Sequence, residues 1–230
     1  MGICLPDCLS PGFRYNSAVN LPNKLTVSRF ALTAAFLWAM FSRSAVNDTL
    51  ALIFFSAAGI TDFLDGKIAR ERKLITNFGT LMDPLADKIM ICSAFIALVE
   101  RHMRAMTIGD MPPVFHFGDY PIYAKVEAWM VVIIVARELG ITGLRLLAAS
   151  KNVVLAAERY GKHKTISQIA AIIALLVMDA YGEWWPWLHG LFTPWTPWFA
   201  LLALWLTVVL TATSGGLYLW RNRAIYLNDT

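Results

Sequence analysis

Six apolar stretches, each near the length a helix needs to cross a bilayer, follow one another along the chain and restrict its fold more than any other feature. In hydrocarbon every backbone N–H and C=O must be paired within the protein, so a spanning segment is a helix of about 20 largely apolar residues. The stretches cover roughly residues 25–41, 50–70, 80–99, 122–149, 165–181 and 198–220. The fourth exceeds what a bilayer requires, so its 137–149 end is expected to project past the hydrocarbon. Composition agrees: 57% of residues are hydrophobic and only 16% charged, which excludes an ordinary soluble domain. The expected fold is an all-α integral membrane protein of six transmembrane helices with a short N-terminal interfacial helix. Residues 1–16 are expected to form a flexible tail, and 17–230 one membrane domain.

Orientation follows from where lysine and arginine fall between the spans. Ten, among them Arg14, Lys24, Arg72, Lys73, Lys162 and Arg221, lie on one side, against Arg43, Arg101 and Arg104 on the other. That asymmetry puts both termini on the cytoplasmic side of a plasma or inner membrane. The net charge of +4 suits anionic headgroups and phosphorylated substrates and calls for no nucleic acid. Cys4, Cys8 and Cys92 form no zinc pattern. Met1-Gly2 lacks the Ser or Thr that myristoylation wants, because Pro6 stands there. No apolar signal-peptide core opens the chain.

The second stretch carries the chemistry. Only 12 uncharged residues, 50–61, precede Asp62, so a helix of bilayer length must run on through Asp62 and Asp65. Ionisable groups at that depth face a protein interior or a wet cavity and are functional by default. Asp62 and Asp65 are three apart, Asp83 and Asp87 four apart, so each pair projects from neighbouring turns of one helix face. The polar run 71–78 reads as a loop that returns the second helix beside the first and gathers the four carboxylates. Such a set needs cations among it, since close like charges otherwise drive protons onto some members. Hard divalent ions are the fitting occupants of all-carboxylate ligands. Gly79 opens the third span, and Pro84 fits its first turn.

These residues resemble the complete signature of the CDP-alcohol phosphotransferases, D-x2-D-G-x2-A-R-x8-G-x3-D-x3-D. Asp62, Asp65, Gly66, Ala69, Arg70, Gly79, Asp83 and Asp87 meet all its fixed positions and every gap. The bland alternative, capping aspartates beside a solvated loop, would explain two of them but not the whole register. The resemblance implies a CDP-linked lipid donor, CDP-diacylglycerol, with CMP leaving and two divalent cations, Mg²⁺ or Mn²⁺, as cofactors. It implies metal binding by Asp62, Asp65, Asp83 and Asp87, with Asp87 also taking the acceptor's proton. Gly66, Ala69, Arg70 and Gly79 would line the nucleotide site. A homodimer is implied by analogy only.

Two further segments extend the likeness toward the phosphatidylglycerophosphate-synthase branch. Residues 20–29, NLPNKLTVSR, are similar to its N-P-N-x-L-T-x-x-R opening; an interfacial anchor with Arg29 reaching to headgroups explains them equally well. Ala136-Arg137-Glu138 with Arg145, and Gly161 to Gln168, resemble two of its later motifs. Arg137, Arg145, Lys162 and Lys164 would then bind the phosphate of the acceptor, glycerol 3-phosphate. Loop charge alone also explains Lys162 and Lys164, and a simple pairing of Glu138 with Arg145, seven residues on, is the plain alternative for those two. A sibling enzyme with another acceptor (an inositol phosphate, another polyol phosphate or phosphatidylglycerol) stays open. So does a divalent-cation transporter, which would want polar residues along both halves of its path. His102 and His116, in the outer loop 101–121, read as exposed loop residues, and Trp184, Trp185, Trp187, Trp195 and Trp198 as an interfacial aromatic belt.

Overall fold

The computed structural model describes residues 20–42, 46–72, 77–108, 114–117, 120–123, 125–150, 160–192 and 194–223, with side chains over 27–42, 46–62, 85–104, 125–148, 164–192 and 194–223. Its elements are α1 (Asn20–Phe41), α2 (Asn47–Arg72), α3 (Asn77–Ile108), β1 (Val114–Phe117), β2 (Tyr120–Tyr123), α4 (Ala128–Ser150), α5 (Tyr160–Ala180), α6 (Pro186–Phe192) and α7 (Thr196–Arg221). A 3-10 turn, Tyr181–Glu183, joins α5 to α6. The tail expected over 1–16, with Cys4 and Cys8, lies outside the described residues.

Each apolar stretch forms a helix, and the bounds differ from expectation in instructive ways. From Asn20 the chain already belongs to α1, so the residues expected in a separate interfacial helix continue into the first long one. Pro22 stands in the first turn, where its missing N–H breaks no bond. Helix α2 runs past Asp62 and Asp65 to Arg72, as its short uncharged part requires. The loop between α2 and α3 is shorter than 71–78, because Glu71 and Arg72 stay in α2 while Asn77 and Phe78 begin α3. Polarity does not end a helix once it leaves hydrocarbon. Pro84 therefore sits well inside α3 rather than in its first turn.

Strands β1 and β2, between α3 and α4, pair antiparallel, with Val114 opposite Tyr123 and Phe117 opposite Tyr120. The span expected over 122–149 consequently begins at Ala128. The signal was present in the sequence: two runs rich in aromatic and β-branched residues separated by Gly118-Asp119 read as a hairpin. At 23 residues α4 is about 34 Å long, close to bilayer thickness.

The core runs between α1, α2, α3 and α5, with α7 against α5 and α4. Phe36 of α1 and Phe55 of α2 meet with ring centroids 5.7 Å apart, and Phe95, Leu98, Ile134 and Leu175 are sealed from solvent. The outside is also apolar. Val132, Leu139 and Leu146, at intervals of seven on α4, are each more than 60% exposed. Such a stripe is a liability in water and suits a lipid-facing surface. Among the described residues two segments, Lys164–Glu183 and Thr196–Arg221, are long and apolar enough to cross a membrane, and Val27–Phe41 forms a shorter apolar helix. Thr207 Oγ1 donates to Ser167 O at 2.8 Å, tying α7 to α5 through an otherwise apolar contact.

The end of the bundle at the start of α2 is closed by polar contacts. The Glu183 carboxylate accepts from Asp48 N (3.1 Å), Thr49 N (2.9 Å) and Thr49 Oγ1 (2.7 Å), satisfying N–H groups that the first turn of α2 cannot pair itself. Trp184 Nε1 donates to Thr49 Oγ1 at 3.0 Å, while Trp185 and Trp187 remain largely exposed as a belt would be. Arg101 bridges Asp48 and Asp179. Burial raises the Asp48 carboxyl to about 6: Arg101 opposes the shift, and Asp179 and Glu183 reinforce it. His102, expected as an exposed loop residue, is instead buried on α3. Its Nδ1 accepts from Val126 N at 3.1 Å and its Nε2 lies 3.5 Å from Asp179 Oδ1. A helix that continues beyond the apolar run turns what reads as loop into packed surface. The His116 side chain lies outside the described residues.

Candidate active site

Helices α2 and α3 carry the signature at the opposite end of the bundle. Fourteen residues separate Asp48 from Asp62, about 21 Å along α2. The side chains of Asp62 and Asp87 are described; those of Asp65, Gly66, Ala69 and Arg70 on α2, and of Gly79 and Asp83 on α3, are not. Among the described residues no three His, Cys, Asp or Glu side chains converge on a metal-sized space, and two of the four expected aspartates lie outside that set.

Asp62 and Asp87 are close enough to feel each other's charge, and cations surround them. Arg29 of α1, only 2% exposed, places Nη2 2.5 Å from Asp62 Oδ1. Asp87 also lies in the field of Arg29, Lys164 and Lys88. Lys88, one residue after Asp87 and just beyond the signature, donates to Thr142 Oγ1 at 2.5 Å. Thr142 in turn donates to Glu138 O at 2.7 Å, so α3 is pinned to α4 beside the site.

Glu138 is the hub of the α4–α5 side. It is buried, ion-paired to Lys164 Nζ, 3.4 Å from Arg137 Nη1, and accepts from Gln168 Nε2 at 3.4 Å. The anticipated pairing of Glu138 with Arg145 does not occur. Arg145 instead donates Nε to Tyr218 OH at 3.4 Å and lies over the Tyr218 ring, because α7 packs along that face of α4. Among the residues expected to bind acceptor phosphate, Lys164 and Arg137 meet at Glu138, whereas Arg145 is turned to Tyr218. The Lys162 side chain lies outside the described residues. Among the described side chains cations outnumber carboxylates here, an arrangement that suits a phosphate dianion.

Two contributors were not legible as site residues. Gly215 of α7 presses its backbone on the Arg137 stem: a Cβ built there would fall 2.7 Å from Arg137 Cγ. Beside them a cavity of about 290 Å³ opens between α4 and α7, with Arg137, Gly140, Thr211 and Gly216 on its walls. Nothing in the local sequence of α7 points to Arg137; only the helix pairing does. Lys88 could have been suspected from its place beside Asp87.

The chain has recognisable relatives among known proteins. Residues 19–213 match the family model of CDP-alcohol phosphatidyltransferases. The chain is 38% identical over 215 residues to the CDP-diacylglycerol–glycerol-3-phosphate 3-phosphatidyltransferase of Bacillus subtilis, covering 88% of this chain and 95% of that one. It is 32% identical over 175 residues to CDP-diacylglycerol–glycerol-3-phosphate 3-phosphatidyltransferase 2 of Arabidopsis thaliana, covering 73% and 68%. A probable phosphatidylglycerophosphate synthase of Mycobacterium tuberculosis is 36% identical over 166 residues, covering 71% and 68%.

Proposed function

This chain belongs to the CDP-alcohol phosphatidyltransferase family, and from that membership we propose that it transfers the phosphatidyl group of CDP-diacylglycerol to glycerol 3-phosphate, giving phosphatidylglycerophosphate and CMP. Relatives named for that reaction support both donor and acceptor. One observation supports the reading most: Asp62 and Asp87 lie within electrostatic reach of each other and of Arg29, Lys88 and Lys164, and Lys164 is paired to Glu138 beside Arg137. Carboxylates beside cations suit a diphosphate donor and a phosphorylated acceptor.

The donor set fits divalent metal. Carboxylate oxygens are the ligands hard cations take, and Asp62 Oδ1 already attracts a positive group, the Arg29 guanidinium. Asp62, Asp65, Asp83 and Asp87 would hold two Mg²⁺ or Mn²⁺ ions, which when bound would neutralise the diphosphate and stabilise the attacking and leaving oxygens. Asp87 would take the proton of the acceptor hydroxyl as its oxygen bonds to the phosphatidyl phosphorus. The bond from that phosphorus to the CMP oxygen breaks, and CMP leaves with the electron pair. Gly66, Ala69, Arg70 and Gly79 would line the nucleotide, and Arg137, Arg145, Lys162 and Lys164 the acceptor phosphate. Positioning and charge neutralisation supply most of the catalysis in such transfers. Six spans, with both termini and this site on the cytoplasmic side, are supported by the lysine and arginine asymmetry and by the apolar exterior.

The test is CMP release by purified protein from CDP-diacylglycerol, offered glycerol 3-phosphate, an inositol phosphate or phosphatidylglycerol in turn. Turnover with glycerol 3-phosphate is expected; turnover with another acceptor alone reassigns the enzyme to a sibling activity. Asp87→Asn should cut turnover by about 10²-fold or more while metal still binds in part. Full activity in that variant refutes Asp87 as the base.

A further inference from the structure

Arg29 lies on α1, a helix that carries none of the eight signature positions, yet it forms an ion pair with the signature residue Asp62. Its side chain is 2% exposed while that of Asp62 is 44% exposed. The guanidinium is thus fixed on the protein side of the carboxylate, and the carboxylate stays open on the other. Asp87 lies in the fields of both groups. Two neighbouring carboxylates without a cation repel each other, and a buried guanidinium without an anion is equally costly. Arg29 relieves both at once.

We infer that Arg29 is a positioning residue that stands in for a divalent cation at Asp62 and yields Asp62 Oδ1 when the site loads. The inference rests on the metal-site reading above. A guanidinium and a metal ion cannot both take the same oxygen at bonding distance. Loading therefore carries the loss of one charge-assisted bond, and the pair keeps the unloaded carboxylate aimed into the site. The device sets metal affinity below what the carboxylates alone would give.

The measurement is Mn²⁺ binding to the full chain in detergent, followed by loss of the free-ion electron paramagnetic resonance signal, with no substrate present. Removing the competing bond in Arg29→Gln should tighten Mn²⁺ binding roughly tenfold, the scale of one charge-assisted bond in an equilibrium constant. Lys88→Gln removes a cation from the same field while leaving Asp62 untouched, so it measures the effect of charge alone. About two- to threefold is expected there. Arg29→Lys, which keeps the charge on a shorter stem without the fork, should fall between wild type and Arg29→Gln; it also serves should the glutamine variant not fold. A gain in Arg29→Gln no larger than in Lys88→Gln, or weaker binding, overturns the inference while leaving the metal reading intact. Wild-type protein that binds no Mn²⁺ overturns both.

Discussion

Gly215→Ala adds one methyl group to α7 and should disable Arg137 without touching it in sequence. A Cβ at Gly215 would sit 2.7 Å from Arg137 Cγ, 3.6 Å from Cβ and 3.9 Å from Cδ. Carbon atoms rest about 3.5–4.0 Å apart, so the Arg137 stem must retreat by roughly 1 Å. The clash is with the middle of the side chain, which has no free end to swing away. Over-packing of this kind costs about 1–3 kcal/mol. For a chain of this size that lowers the thermal midpoint by about 2–4 °C per kcal/mol. With Arg137 in its proposed role at the acceptor phosphate, a displacement of ~1 Å is expected to lower the rate by about 10²-fold. Gly216→Ala is the internal control, because nothing lies within 4 Å of a Cβ there. It should leave kinetics unchanged and stabilise the helix by about 0.5–1 kcal/mol. The assay is initial-rate CMP release against glycerol 3-phosphate concentration, with thermal unfolding of the same samples. Equal midpoints and equal kinetics for the two alanine variants would refute the packing argument.

Two predictions concern the other end of the bundle. Glu183→Ala removes the carboxylate that receives Asp48 N and Thr49 N and should lower stability by about 1–2 kcal/mol, read by thermal unfolding, with KM for both substrates unchanged; an altered KM would show that this end communicates with the site. Asp48 is held near 6 in the folded protein against 3.8 for an ordinary aspartate, so the folded state binds the extra proton between those values. The stability that proton brings is complete below pH 4 and is lost as pH rises through 6. Asp48→Asn should flatten the dependence of the thermal midpoint on pH between 4 and 7, and a slope identical to wild type would exclude Asp48 as its source.

The chemistry was legible in the sequence because it depends on residue type and register within single helices. The three- and four-residue spacings of Asp62, Asp65, Asp83 and Asp87 set which face each carboxylate shares. The 12 uncharged residues before Asp62 were too few to span a bilayer, so α2 had to continue through the acids, and it does. The long apolar runs likewise specified helices, since hydrocarbon admits little else. Tertiary structure decided the partners. Arg29 meets Asp62 because α1 packs on α2; Glu138 meets Lys164 of α5 rather than Arg145 because Arg145 is turned to Tyr218 of α7. Gly215 matters only through the helix it faces. Periodicity records a residue's direction from its own axis, whereas an ion pair or a close approach depends on which axis stands opposite, and that is set by packing of the whole bundle.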